Sequence, residues 1–264
     1  MKKTILSLLL ASVVAASAFG MVACGDNDDG INGNTDPATI KSEQVADEAA
    51  WKAAFDYSEV KNYSLKMTMV TKRGDLTTRE NEGTLGFDTD KYISEYTSKS
   101  LKYDYLTGEY VKENDEYVYE TYASQSAGAV IDGKYYEYEY DDEEEAWYRE
   151  ESDDEFENDM TSLKELKDAY NGYAKFTFEN GAYTATFNED DNEYAKNIAT
   201  KITIKIKDGK VIYVSYLEEY DMIMDEDGEE TEHNSYEQTL LIYGVGTTMV
   251  GVPAEYKEYE EDAE

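Results

Sequence analysis

The chain has 264 residues, with 60 acidic against 24 basic side chains, a net charge of −36, one Cys, 26 Tyr and two Pro. That charge excludes a nucleic-acid partner, because the phosphates would repel the protein. One Cys excludes an intramolecular disulfide, and one His (His233) leaves no Ser-His-Asp triad or His-rich zinc site to assemble.

The first residues are read as a secretion signal. Lys2 and Lys3 make a positive start, Ile5 to Val14 an apolar stretch, and Ala15 to Ala18 a run of small residues. The segment is too short for a spanning helix, which needs about 20 apolar residues. Met21-Val22-Ala23-Cys24 then resembles the lipobox of bacterial lipoproteins. Met21 stands where Leu is usual. The resemblance implies cleavage after residue 23 and a covalent diacylglyceryl group on Cys24. Two acyl chains give firm anchoring where one gives only marginal binding. The implied mature chain has 241 residues, and loss of Lys2 and Lys3 takes its charge to −38. Such a domain is expected to be repelled by anionic headgroups and to stand off its membrane.

Residues 24–44 are read as an acidic tether, rich in Asp, Asn and Gly up to Pro37. Asp26, Asp28 and Asp29 do not have EF-hand spacing. A single domain is expected over 45–253, with an acidic tail at 254–264. A helix over 46–56 is expected from the stripe Ala50, Trp51, Ala54 and Phe55, with Asp47 and Glu48 at its start. Strands follow. Tyr63, Leu65, Met67 and Met69 alternate with polar residues, and further strands are expected at 83–88, 91–98, 101–106, 110–113 and 116–122. Asp132-Gly133 marks a hairpin into 131–140, with Tyr136, Tyr138 and Tyr140 on one face and Glu137 and Glu139 on the other.

Residues 141–159 read as a charged connector. Residues 160–170 read as a second, inserted helix, stopped by Asn171-Gly172. Strands are expected at 174–179 and 182–187 around Asn180-Gly181, and at 200–207 and 210–220 around Asp208-Gly209. A further pair, 219–226 and 231–243, flanks Asp227-Gly228. Residues 189–199 read as mildly helical, and His233 as part of a polar turn. Both faces of 211–214 are apolar, which suits either a strand buried on both sides or one that covers a cavity. The predicted class is α+β, mainly antiparallel, with a curved open sheet.

This order of elements, closed by Leu241-Ile242-Tyr243-Gly244, Thr248-Met249-Val250 and Pro253, resembles the half-barrel of the Lol-type carriers and the actinobacterial lipid-binding lipoproteins. The segment from Ala46 to Thr68 also resembles the opening of uncharacterised lipoproteins of Gram-positive anaerobes. The resemblance implies a lipid-anchored protein on the extracytoplasmic face of the cell membrane. Its partners would be the membrane and either an apolar small molecule or a cell-envelope protein. Leu65, Met67, Met69, Phe176, Phe178, Ile204 and Val214 are the candidate lining of an apolar groove, and closed core is the competing reading of the same residues. No catalytic residue, metal ligand or dissociable cofactor is assigned. Two carboxylates suffice for a glycosidase, but sixty acidic residues make chance pairs certain, and the clusters Asp141 to Glu145 and Glu258 to Asp262 read as solvated charge. The competing function is an adhesin or assembly partner with a closed core.

Overall fold

The computed structural model describes residues 31–152, 172–225 and 229–259. The signal segment, Met21, Val22, Ala23, Cys24, the helix expected at 160–170 and the Asp227-Gly228 turn lie outside these residues.

Alternating Tyr and β-branched residues favour a pleated, half-buried surface, and most of the described chain is strand. The strands are β1 (Asn62–Arg73), β2 (Leu76–Asp88), β3 (Lys91–Leu101), β4 (Tyr103–Asp104), β5 (Glu109–Tyr110), β6 (Lys112–Glu113), β7 (Glu116–Tyr117), β8 (Tyr119–Ile131), β9 (Lys134–Asp141), β10 (Ala146–Ser152), β11 (Thr177–Glu179), β12 (Ala182–Asn188), β13 (Ala195–Lys207), β14 (Lys210–Ile223), β15 (Thr231–Tyr243) and β16 (Lys257–Glu258). Twelve of them form one large, curved, open sheet in the order β11-β12-β13-β14-β15-β1-β2-β3-β8-β9-β10-β16. Pairing is antiparallel throughout except between β10 and β16. Asp132-Gly133 and Asp208-Gly209 both take left-handed φ (53° and 82°, 50° and 69°), the geometry of two-residue hairpin turns. Strands β4 to β7 form two tiny hairpins that bud from the β3–β8 junction.

The pairing of β1 with β15 is what joins two meanders into one sheet. β11 to β15 make one half and β1 to β10 the other. Residues opposite each other in an antiparallel pair share a face, so the register carries a front and a back across the sheet. Tyr63, Leu65, Met67 and Met69 point to the front; Ser64, Lys66 and Thr68 point to the back.

The one α-helix among the described residues, α1 (Glu48–Ala54), lies on the front. Asp47 caps it by accepting a hydrogen bond from the Ala50 N–H at 2.9 Å. Its Trp51 and Ala54 are buried with Phe55, Tyr63, Leu65, Phe87, Ile202, Ile204, Val214 and Ile242. The aliphatic part of the front ends near β1. Along one row it runs Ile204, Val214, Leu240, Met67, then Gly83 and Tyr96; along the next, Ile202, Tyr216, Gln238, Met69, then Asn81 and Ser98.

Several expected loops are structured instead. Residues 31–43, read as tether, lie against the back face: Ile31 and Ile40 are buried with Ile212, Tyr213, Leu241 and Tyr243. The Ser42 N–H donates to the Gly181 carbonyl at 2.8 Å, and the Glu43 N–H to the Ile206 carbonyl at 2.7 Å. Two isolated isoleucines in a polar run carry no periodic signal, so this docking was invisible to pattern reading. The connector at 141–159 contains β10, and the stretch read as mildly helical contains the start of β13. Part of the acidic tail also docks. Glu258 pairs with Arg149, Lys257 pairs with Glu144, and Tyr259 packs on Tyr148 with ring centroids 5.0 Å apart. Glu144 and Glu258 thus each gain a cationic partner while their side chains stay more than half exposed. His233 belongs to β15, not to a turn.

Candidate binding site

All the residues expected to line an apolar groove converge on the front face, but there they are packed, not open. Ile204 is 0% exposed, Val214 4%, Leu65 7%, Met67 9% and Met69 5%. Phe176 and Phe178 are partly buried against the same cluster. The closure comes from Trp51, whose ring centroid lies 4.9 Å from Phe176, 5.8 Å from Tyr173 and 5.0 Å from Tyr183. α1 and the short turn at Tyr173–Lys175 therefore pack over this part of the face: Leu65, Ile204 and Val214 belong to a core cluster with Phe176 and Phe178 against it, and Met67 and Met69 are buried outside that cluster.

The two-sided apolar segment 211–214 has a specific cause. β14 is bulged opposite Lys205 and Ile206, so Ile206 faces Val211 while Lys205 faces Tyr213. A bulge sets two successive residues on one side. Val211 and Val214 join the front core, and Ile212 and Tyr213 join the back cluster beneath Ile31 and Ile40.

Beside that back cluster, between the sheet and residues 33–38, is a half-open cavity of about 600 Å³. Its floor is two rows of side chains. One row is Thr203, Ser215, Thr239 and Thr68, taken in order across β13, β14, β15 and β1. The next is Lys205, Tyr213, Leu241 and Lys66 on the same strands. The Thr68 and Thr239 hydroxyls are 2.7 Å apart.

Both lysines are held in place. Lys205 is 8% exposed, and its ammonium donates to the Ile40 carbonyl at 2.8 Å and to the Pro37 carbonyl. Burial lowers its pKa from the ordinary lysine value, with the Asp36 carboxylate opposing that shift. Lys66 pairs with Glu82 at 3.0 Å at the more exposed end. Asp36 itself is turned to the roof, where it accepts from the Ala38 N–H at 2.9 Å.

Sequence reasoning reached Tyr213, within the two-sided segment 211–214, and Leu241, in the closing strand, but assigned none of the polar residues of this floor to a site. One signal was available: in Lys201 to Lys207, Ile alternates with Lys and Thr, so the face opposite the core is cationic and hydroxylic. Alignment of the four hydroxyls depends on the register of four strands and is not legible from any one of them.

Other chemistry is sparse among the described residues. His233 Nδ1 lies 3.1 Å from Asp221 Oδ1, and its Nε2 lies 3.8 Å from Glu219, on an exposed patch. The Asp221 pKa is lowered by a hydrogen bond from Asn197 and then by His233. No group of three His, Cys, Asp or Glu among the described residues is arranged to hold a metal ion. No described helix is long and apolar enough to cross a membrane. No protein-family model matches this chain, and no curated protein matches it in sequence.

Proposed function

We propose that the protein is a lipid-anchored, non-enzymatic binding domain on the extracytoplasmic face of the cell membrane, and that its binding side is the back of the sheet. The observation that carries this reading is the docking of residues 31–43 on the back face directly after the lipobox-like Met21 to Cys24. Ile31 is seven residues beyond Cys24. At full extension the intervening chain reaches no more than about 25 Å. A diacylglyceryl group on Cys24 would therefore hold the back face near the headgroups, despite the charge of the domain.

The half-barrel comparison belongs to this proposal. A curved open sheet with a helix on one face suits it, but the face that carriers offer to acyl chains is filled here by Trp51 and its neighbours. The closed front instead favours a protein that meets its partner elsewhere. The partner is taken to be a small molecule or a component of the cell envelope, not a nucleic acid.

The test is fractionation of cells that express the full chain or its Cys24→Ser variant. The wild type should partition with membranes and shift in mass by a diacylglyceryl group. The variant should be released or retain its signal segment. Equal partitioning with no lipid on Cys24 would overturn the anchoring. Native mass spectrometry of the same preparation tests the front face. A co-purified acyl chain that disappears on organic extraction would restore the carrier reading.

A further inference from the structure

We infer that the back-face cavity binds a small polyol or sugar that carries one anionic group, a phosphate or a carboxylate. The inference rests on the proposal that the back of the sheet is the binding side, and it names the ligand class.

The cavity has the volume of a small-molecule site, within the usual 300 to roughly 1,000 Å³. Its lining is part apolar, but an acyl chain would leave its hydroxyls and ammonium groups without partners. Thr203, Ser215, Thr239 and Thr68 present four hydroxyls in one row; the bond between Thr68 and Thr239 uses one of their donors, and every oxygen keeps the capacity to accept. Adjacent strands are about 4.8 Å apart, so the row spans roughly 14 Å and can meet several hydroxyls of one ligand.

The charge of the ligand follows from the lysines at the two ends of the neighbouring row. In a chain with 60 acidic and 24 basic residues, the described residues that line this cavity include two cations, both Lys, and one carboxylate, that of Asp36. An ammonium has three N–H donors. Lys205 gives two to the Pro37 and Ile40 carbonyls, which leaves one for a ligand. Among the described residues Lys66 pairs with Glu82, whose side chain is 56% exposed, and an exposed ion pair is weak enough to exchange for a ligand anion. The roof at residues 33–38 limits solvent over this floor, and less screening strengthens attraction for an anion. A metal cation would be repelled by the same two lysines.

The shared chemistry is found both in soluble sugar acids or polyol phosphates and in the headgroup of phosphatidylglycerol. The experiment uses the full chain in detergent, whether or not it carries lipid, so failure of the anchoring proposal would not affect the result. Glycerol 3-phosphate and glucuronate are titrated by calorimetry, against glycerol and glucose as neutral counterparts and against inorganic phosphate. Nanodiscs of phosphatidylglycerol are compared with nanodiscs of phosphatidylcholine.

Each charged compound should bind at least about tenfold more tightly than its neutral counterpart, the effect of one charge-assisted contact. Lys66→Met should remove most of that difference. Ser215→Ala, which leaves both cations in place, should weaken the charged and neutral members of a pair alike by about threefold, as expected for one neutral hydrogen bond. Lys52→Met, on the exposed side of α1, should change nothing. Tighter binding to phosphatidylglycerol nanodiscs than to glycerol 3-phosphate would identify the source as the headgroup, and the reverse would identify a soluble ligand. Inorganic phosphate that binds as tightly as glycerol 3-phosphate would overturn the polyol assignment. Charged and neutral probes that bind alike, or no probe that binds at millimolar concentration, would overturn the site.

Discussion

The two faces of the sheet are both covered, but by different means. From β11 to β1 the front is covered by α1 and aromatic side chains, and there its buried groups are mostly apolar around the 0%-exposed Ile204, Ile206 and Ile242; on β2 and β3 the front buries Asn81, Ser94 and Ser98 instead. The back is covered by segments that flank the meanders. Residues 31–43 cross it over β13 to β1, and residues 252–259 cross it near β9 and β10, where Val252 packs by Tyr138 and Tyr256 stacks edge-on against Tyr138. A strap brings its own backbone carbonyls and N–H groups, so the back buries polar atoms with their partners. Lys205 serves the carbonyls of one strap, and the Ser64 hydroxyl meets the Thr248 hydroxyl at 3.0 Å while Thr248 donates to the Gly244 carbonyl at 2.9 Å. A hydrocarbon-like core supports the front from β11 to β1; on the back, polar pairing leaves room for a cavity.

The comparison can be broken most sharply at Trp51. Trp51→Ala removes the ring that joins α1 to β11, β12 and the 173–175 turn, and should cost about 3–5 kcal/mol in urea unfolding. A loss below that of Ile40→Ala would reverse the ranking of the faces. Ile40→Ala, in the N-terminal strap, should cost about 2–3 kcal/mol, at the lower end because a strap can settle into the space left. Hydrogen exchange should then speed up at Ser42 and Glu43 while β1 stays protected. Gly128 offers a third point. A Cβ there would lie 2.3 Å from Cε1 of Tyr92, which crosses the front of β8, so Gly128→Ala should cost about 1–3 kcal/mol, and Tyr92→Ala should relieve it in a double-mutant cycle.

Alkaline pH separates the half-buried phenols Tyr216 and Tyr236 from the exposed ones. Burial pushes Tyr236 from 10.0 up to about 12, with Glu218 adding to the shift, and burial followed by the Glu218 hydrogen bond pushes Tyr216 well up as well. The folded form holds these protons more tightly than the unfolded form does. Their contribution to stability is therefore complete below about pH 10 and lost as pH rises through the folded values. Phenolate absorbance should show a late step that coincides with loss of β-sheet circular dichroism. A step that precedes unfolding would mean these tyrosines are open to solvent.

The sheet was largely legible, because period-two alternation in β1, β9 and β13 and the Asp-Gly turns act locally. The front core was legible as residue types; its closure was not, because whether Leu65 and Val214 line a groove depends on where Trp51 lands. The straps were hidden for a related reason. Ile31 and Ile40 are single apolar residues in a polar segment, and Val252 follows Met249 and Val250 outside any strand, so only the finished sheet gives them a surface to bury. The cavity floor is further still from sequence, since the line Thr203, Ser215, Thr239, Thr68 exists only in the register of four strands.

The smallest expected effect distinguishes the straps themselves. The C-terminal one is held mainly by Arg149, which pairs with Glu258 and lies 4.1 Å from the ring of Tyr256 and 4.5 Å from that of Tyr136. The Glu258 side chain is 59% exposed, so solvent and salt screen the pair. Arg149→Ala should therefore cost less than about 1 kcal/mol, most of it from the lost ring contacts. Raising the salt concentration should shrink the ionic part and leave the packing part. The N-terminal strap, fixed by buried isoleucines and a buried ammonium, should keep its exchange protection under the same salt. If both straps loosen together, the back face is one cooperative layer; if only residues 257–259 loosen, the cavity beneath residues 33–38 is held independently of the chain's other end.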